Sequence, residues 1–143
     1  WTMREGKAPI IFGDGTQTRD FTYVKDIVDA LILTSKKGIG IFNAGTGKAF
    51  SFNYVVDLIN TCLVTELKPV YRENPIKNYV MHTLANTSKM QSLGFVPRYS
   101  LDDGLKEIMA EKVGYSPGHL KAIPKSGQEK MDTKNTCDDR RND

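Results

Sequence analysis

Cysteine and histidine are both scarce in this 143-residue sequence, at two each. Cys62 lies in an apolar run and Cys137 in a charged one, which argues against a disulfide framework and for two free thiols in a reducing compartment. There is no Cys-x-x-Cys or His-Glu-x-x-His spacing, so a metal site has nothing to build on. Charge of one sign is also missing. With 20 Lys+Arg against 17 Asp+Glu the net charge is +3, spread along the chain, and no clustered basic footprint for nucleic acid results. Long hydrophobic runs are absent: the longest, around Ile27 to Leu33, is interrupted by Asp29 and is too short to span a bilayer. The opening residues Trp1, Thr2, Met3, Arg4 and Glu5 lack the apolar centre of a secretion signal, so a cytoplasmic location is expected. Opening on Trp1 rather than Met, the sequence is expected to be a processed, truncated or excised piece of a longer protein.

What is present is ordinary for a soluble globular protein, at 39% hydrophobic and 26% charged, and the length suits one domain or part of a larger one. The apolar run 8–12 predicts a buried strand ending at the Gly13-Asp14-Gly15 turn, and 19–24 predicts a second extended segment. Asp26 is placed to cap a helix to about Ser35, which Gly38 and Gly40 close. Residues 41–45 predict a third strand, leading through Gly45-Thr46-Gly47 to a helix capped by Ser51 and running to about Val64. A short strand over 67–71 follows. Asn86 or Thr87 caps a short helix ending at Gly94, and Ser100 opens a last helix to about Val113. Strands and helices alternate from 8 to 113, an α/β or α+β layout. Within 121–143 only Ala122, Ile123, Met131 and Cys137 are apolar, and six Lys/Arg face five Asp/Glu, so 114–143 is expected to be a mobile polar tail.

The chemically informative stretch runs from Ile11 to Asp26. It sets a Gly-rich turn, Gln17 and Arg19 between a strand and a helix, and an Arg at such a mouth offers a rigid donor fork suited to phosphate oxygens. The same spacing also lets Arg19 pair with Asp20 or Asp26 at the surface, and the residues alone leave both open. Gly45-Thr46-Gly47 lacks the Lys-Ser/Thr of a phosphate-binding P-loop and reads as a strand-to-helix turn. Asp102 and Asp103 read as a charge pair favoured by a helix N-terminus, and Phe21 and Tyr23 as core. His82 and His119 carry no partner signature.

The stretch Gly13-Asp14-Gly15-x-Gln17-x-Arg19-Asp20-Phe21-x-Tyr23-Val24-x-Asp26 resembles a segment of the NAD-dependent nucleotide-sugar epimerases and dehydratases, the extended short-chain dehydrogenase/reductases. Three later stretches follow in that family's order. Phe42-Asn43-Ala44-Gly45-Thr46-Gly47 is similar to its (Tyr/Phe)-Asn-x-Gly-x-Gly segment, and Leu84 to Lys89 to its Ala-Asp-x-Ser-Lys segment. Leu93-Gly94-Phe95-x-Pro97 and Ser100 to Leu105 are similar to its ending. Four motifs in register over residues 8 to about 110 are far more specific than any one of them.

The resemblance implies the C-terminal, substrate-binding part of a Rossmann-type extended short-chain dehydrogenase fold over 1–113, with short strands alternating with helices. It implies a chain most like UDP-glucose 4-epimerases, anchoring a UDP-, dTDP- or GDP-sugar without nucleic acid or membrane. In the family the Arg matching Arg19 contacts the diphosphate, and the preceding strand, here Pro9 to Phe12 with Ile11 and Phe12, packs the base and ribose near Gln17. A second phosphate-contacting Arg matches Arg72, although Arg72-Glu73-Asn74-Pro75 lacks the family's Gly and Asp, and Lys77 competes for that role. NAD serves the intact family enzyme, but none is expected on this chain alone. The Gly-x-x-Gly-x-x-Gly turn and the Tyr-x-x-x-Lys pair are absent from the sequence, so no catalytic residue is assigned and the chain by itself is expected to be inactive. A homodimer through the upstream portion stays open. The alternative is a non-catalytic nucleotide- or sugar-binding module, or a regulatory relative without the NAD domain.

Overall fold

The computed structural model describes residues 2–113. Its elements in chain order are a 3-10 turn (Met3–Glu5), β1 (Ile10–Phe12), β2 (Thr18–Arg19), α1 (Val24–Lys37), β3 (Phe50–Ser51), α2 (Phe52–Leu63), β4 (Val70–Arg72), α3 (Ser88–Ser92) and α4 (Leu101–Val113). Strands β1 and β4 pair in parallel, with Ile10 opposite Val70, Ile11 opposite Tyr71 and Phe12 opposite Arg72. Strands β2 and β3 pair antiparallel. Short strands alternating with helices are thus observed, as the sequence predicts.

Two apolar clusters hold the described residues together. Met3, Ile11 and Val56 form one, packed by Phe52, Ile59, Leu63 and Leu67. Ala30, Met90 and Phe95 form the other, packed by Leu33, Phe42 and Leu93. Helix α2 begins where the sequence places it, because the Ser51 side chain accepts a hydrogen bond from the Tyr54 N–H at 3.1 Å. Helix α4 begins with a reciprocal cap: Asp103 N–H donates to Ser100 Oγ (3.1 Å), while the Ser100 hydroxyl donates to the Asp103 carboxylate (2.6 Å).

Three expectations need correction. Asp26 does not cap α1. The helix starts two residues earlier, behind Tyr23, whose backbone is extended. Asp26 is fully buried in the first turn, and its carboxylate accepts the N–H groups of Arg98 (3.0 Å) and Tyr99 (3.1 Å), tying α1 to the chain that enters α4. The second extended segment is only Thr18–Arg19, since just those residues find a strand partner. Residues 41–45 form no strand: no described segment pairs with them, Ile41 is 87% exposed, and its carbonyl accepts the Lys89 ammonium at 2.9 Å. Gly38 does close α1, but for a reason other than left-handed backbone. Its φ is −88°, and a Cβ there would stand 2.8 Å from the Thr34 carbonyl oxygen. The expected tail, 114–143, and with it Cys137 and His119, lies outside the described residues.

Candidate functional site

The Gly13-Asp14-Gly15 turn links β1 to β2 and is locked from both sides. Asp14 accepts the Thr16 N–H and hydroxyl at 2.9 and 2.7 Å, bonds that hold its carboxyl below the usual carboxylate range. Gly15 has φ +80°, and a Cβ there would lie 1.9 Å from Asn53 Oδ1, so glycine is required twice over. Gly13 N–H donates to the Arg72 carbonyl (2.8 Å), which keeps the end of β1 against the end of β4.

Beneath this turn lies a cavity of about 330 Å³, walled by Pro9 to Phe12 on one side and by Phe52, Val55 and Ile59 of α2 on another. Gln17, Phe21, Ile76 and Tyr79 complete much of its lining. Gln17 is 1% exposed; its Nε2 donates to the Phe12 carbonyl at 2.7 Å, and its Oε1 is buried with no partner. An acceptor left unpaired away from water costs about 1–3 kcal/mol.

Arg19 stands beside this cavity. Its guanidinium carbon is 5.0 Å from the Tyr79 ring centre and 5.8 Å from that of Phe52, two cavity-lining rings. Nη1 donates to the Thr18 and Met81 carbonyls (2.7 and 3.1 Å) and Nη2 to the Val80 carbonyl (2.8 Å). It therefore pairs with neither Asp20 nor Asp26. Asp20 turns the other way: its carboxylate accepts the Thr46 N–H (2.9 Å), the Thr46 hydroxyl (2.5 Å) and the Gly47 N–H (2.9 Å). A protein carboxylate already fills the Gly45-Thr46-Gly47 turn, and a Cβ on Gly45 would meet it at 2.7 Å. That turn does not fit the pyrophosphate of a dinucleotide.

Of the residues singled out from the sequence, the structure brings Ile11, Phe12, Gln17 and Arg19 to one place. Arg72 is exposed opposite Phe12, at the end of the sheet that borders the cavity. Lys77 is exposed and lies in the chain between the lining residues Ile76 and Tyr79. The sequence reading missed Phe52 and Tyr79, the rings flanking Arg19. Their only signal was being aromatic, at sites tens of residues away in the chain. Cys62 is a free, buried thiol whose pKa is raised by burial, as an inert core cysteine would be. Among the described residues no group of three or more His, Cys, Asp or Glu could hold a metal ion, and no helix is long and apolar enough to cross a membrane.

Comparison with known proteins shows what the chain is similar to. Residues 2–45 match the model of the NAD dependent epimerase/dehydratase family. A UDP-glucuronate 4-epimerase of Thermodesulfobacterium geofontis is 39% identical over 112 residues, 76% of this chain and 34% of that protein. The structure of UDP-glucose 4-epimerase from Thermotoga maritima, solved with UDP-glucose, superposes with a TM-score of 0.68 at 37% identity, over 73% of this chain and 34% of that one. A UDP-glucuronic acid 4-epimerase of Bacillus cereus, solved with UDP-glucuronic acid and NAD, gives 0.67 at 29% identity, over 73% and 35%. The chain is homologous to the NAD-dependent nucleotide-sugar epimerases and shares the fold of part of these extended short-chain dehydrogenases. It spans about a third of the length of the relatives it matches.

Proposed function

We propose that this chain is the substrate-binding, C-terminal portion of an NAD-dependent nucleotide-sugar epimerase or dehydratase, most like a UDP-glucose 4-epimerase, and that it anchors the nucleotide diphosphate. The observation that carries this reading is the position of Arg19, a fixed cation beside a largely apolar cavity and within 6 Å of two of its aromatic rings, Phe52 and Tyr79. The planar base enters between β1 and α2, and the diphosphate meets Arg19 with Arg72 or Lys77 as a further cation. UDP-sugars are the favoured ligands, because the similar solved structures hold UDP-glucose and UDP-glucuronic acid. The contribution to the reaction is positional, fixing the nucleotide so that the sugar can face a cofactor held elsewhere.

The test is a thermal melt of the 143-residue chain with UDP-, dTDP- and GDP-sugars, with and without NAD. A ligand at ten times its Kd adds about 1.4 kcal/mol of stability, several degrees in Tm for a chain of this size. The expected result is a midpoint that rises with UDP-sugars and does not respond to NAD, and that loses the rise in Arg19→Ala without loss of helicity. Unchanged ligand-induced stabilisation in Arg19→Ala would falsify the anchor assignment.

A further inference from the structure

Arg19 is held by a segment that the family resemblance does not single out. A guanidinium has five N–H donors. Nη1 spends both of its hydrogens, on the Thr18 and Met81 carbonyls, and Nη2 spends one on the Val80 carbonyl. One hydrogen on Nη2 and the one on Nε are left. Where the Val80 carbonyl takes the Nη2 hydrogen that faces Nη1, the remaining two lie along one edge of the planar guanidinium and form a fork matched to two oxygens of one phosphate.

Two of the three holding carbonyls belong to the strap 79–83, which is itself fastened to β2. Thr18 N–H donates to the Met81 carbonyl at 2.9 Å, and Thr83 N–H donates to the Thr18 carbonyl at 3.2 Å. Thr18 and His82 form a parallel bridge, with Thr18 Oγ1 3.1 Å from His82 Nδ1. The Arg19 guanidinium lies over the ring of Tyr79, at the start of the strap. The Met81 oxygen thus receives both the backbone of β2 and the Arg19 side chain, so strap and side chain are ordered together.

Resting on the reading of Arg19 as the diphosphate anchor, we propose that the strap Tyr79–Thr83 is a positioning element for the anion: its carbonyls immobilise the guanidinium before ligand arrives and leave the Nε/Nη2 edge to receive the diphosphate. A free arginine would surrender its rotamer freedom on binding, whereas a held one has surrendered it on folding. The strap's role lies in its backbone, so it should be removed through a backbone donor.

Thr83→Pro deletes the N–H that ties the strap to Thr18, and Thr83→Val keeps it. The measurement is the affinity of the full 143-residue chain for UDP and for uridine by titration calorimetry, with Arg19→Ala in parallel. Thr83→Pro is expected to bind UDP about tenfold more weakly, with uridine affinity within twofold and Thr83→Val indistinguishable from the parent. Parent-like UDP binding by Thr83→Pro, or an equal loss for uridine, overturns the strap proposal while leaving the anchor reading intact. Parent-like UDP binding by Arg19→Ala overturns the anchor reading and the strap with it. A second measurement needs no variant. Nitrogen-detected NMR of the unliganded chain should resolve separate Nη signals for Arg19, because three bonds slow rotation of the guanidinium; a single averaged Nη signal overturns the proposal even if Thr83→Pro fails to fold.

Discussion

Helices α1 and α2 are similar in length and lead to opposite situations. Helix α2 buries Val56, Leu58 and Cys62 and packs Phe52, Ile59 and Leu63 against the cluster under β1. Helix α1 buries only Asp26 and Ala30, and leaves Val24 (63% exposed), Leu31 (64%) and Ile32 (50%) in the open. Beside it a second cavity of about 460 Å³ runs between α1 and the segment carrying Gly40, Phe42 and Ala44. Isolated exposed apolar side chains are normal on a protein surface, but several along one helix, continued by Ile39 (90%) and Ile41 (87%), are not. The cavity with Arg19 lies on the well-packed side. The proposed ligand site is therefore on the side where the chain satisfies itself, and the apolar surplus is concentrated where it does not.

The largest effect that would break this contrast is at Leu58, 2% exposed in the middle of α2. Leu58→Ala is expected to cost about 2–5 kcal/mol by lost burial and cavity formation, read as a lowered urea midpoint. A cost under about 1 kcal/mol would mean that the α2 side is no better packed than the α1 side.

Asp26 comes next, and it shows what the sequence did and did not reveal. Its position near the start of an amphipathic helix is legible, as is Ser51 before α2, because a short polar side chain ahead of a periodic apolar set marks a helix start; only Ser51 proves to be the cap, and Asp26 sits in the first turn. Which N–H groups the carboxylate reaches is not legible: Arg98 and Tyr99 lie more than seventy residues on, and local spacing carries no trace of them. The strand expected at 41–45 fails for the converse reason. A short apolar run ending in a glycine turn reports a segment able to pair, but pairing requires a neighbour. Arg19 combines both cases, since its place at the cavity follows from the motif while its partners are backbone carbonyls at 80 and 81, which no side-chain pattern encodes. Asp26→Ala leaves the part-buried N–H groups of Arg98 and Tyr99 without their acceptor. The expected loss is about 1–3 kcal/mol by chemical denaturation. Asp26 ties the sparsely packed helix to the chain entering α4 beside the more exposed Arg98–Asp29 and Lys25–Glu107 pairs, so a neutral outcome would show that α1 is held without it.

The smallest effect is the most discriminating. Leu31 has the same side chain as Leu58 and sits in a helix of similar length, yet it is 64% exposed. Burial, not residue type, sets the hydrophobic contribution, since only the area withdrawn from water counts. Leu31→Ala removes little buried surface and leaves no enclosed cavity, and alanine is the better helix former by a few tenths of a kcal/mol. The urea midpoint of the 143-residue chain should therefore move by no more than about 0.5 kcal/mol, in either direction. Comparing the two Leu→Ala costs cancels the common chemistry of the substitution and leaves the difference in packing between the two helices. Equal costs would mean that Leu31 is covered in solution. The exposed face of α1 would then be buried by contact with another surface, and the midpoint would depend on protein concentration if that surface belonged to a second copy.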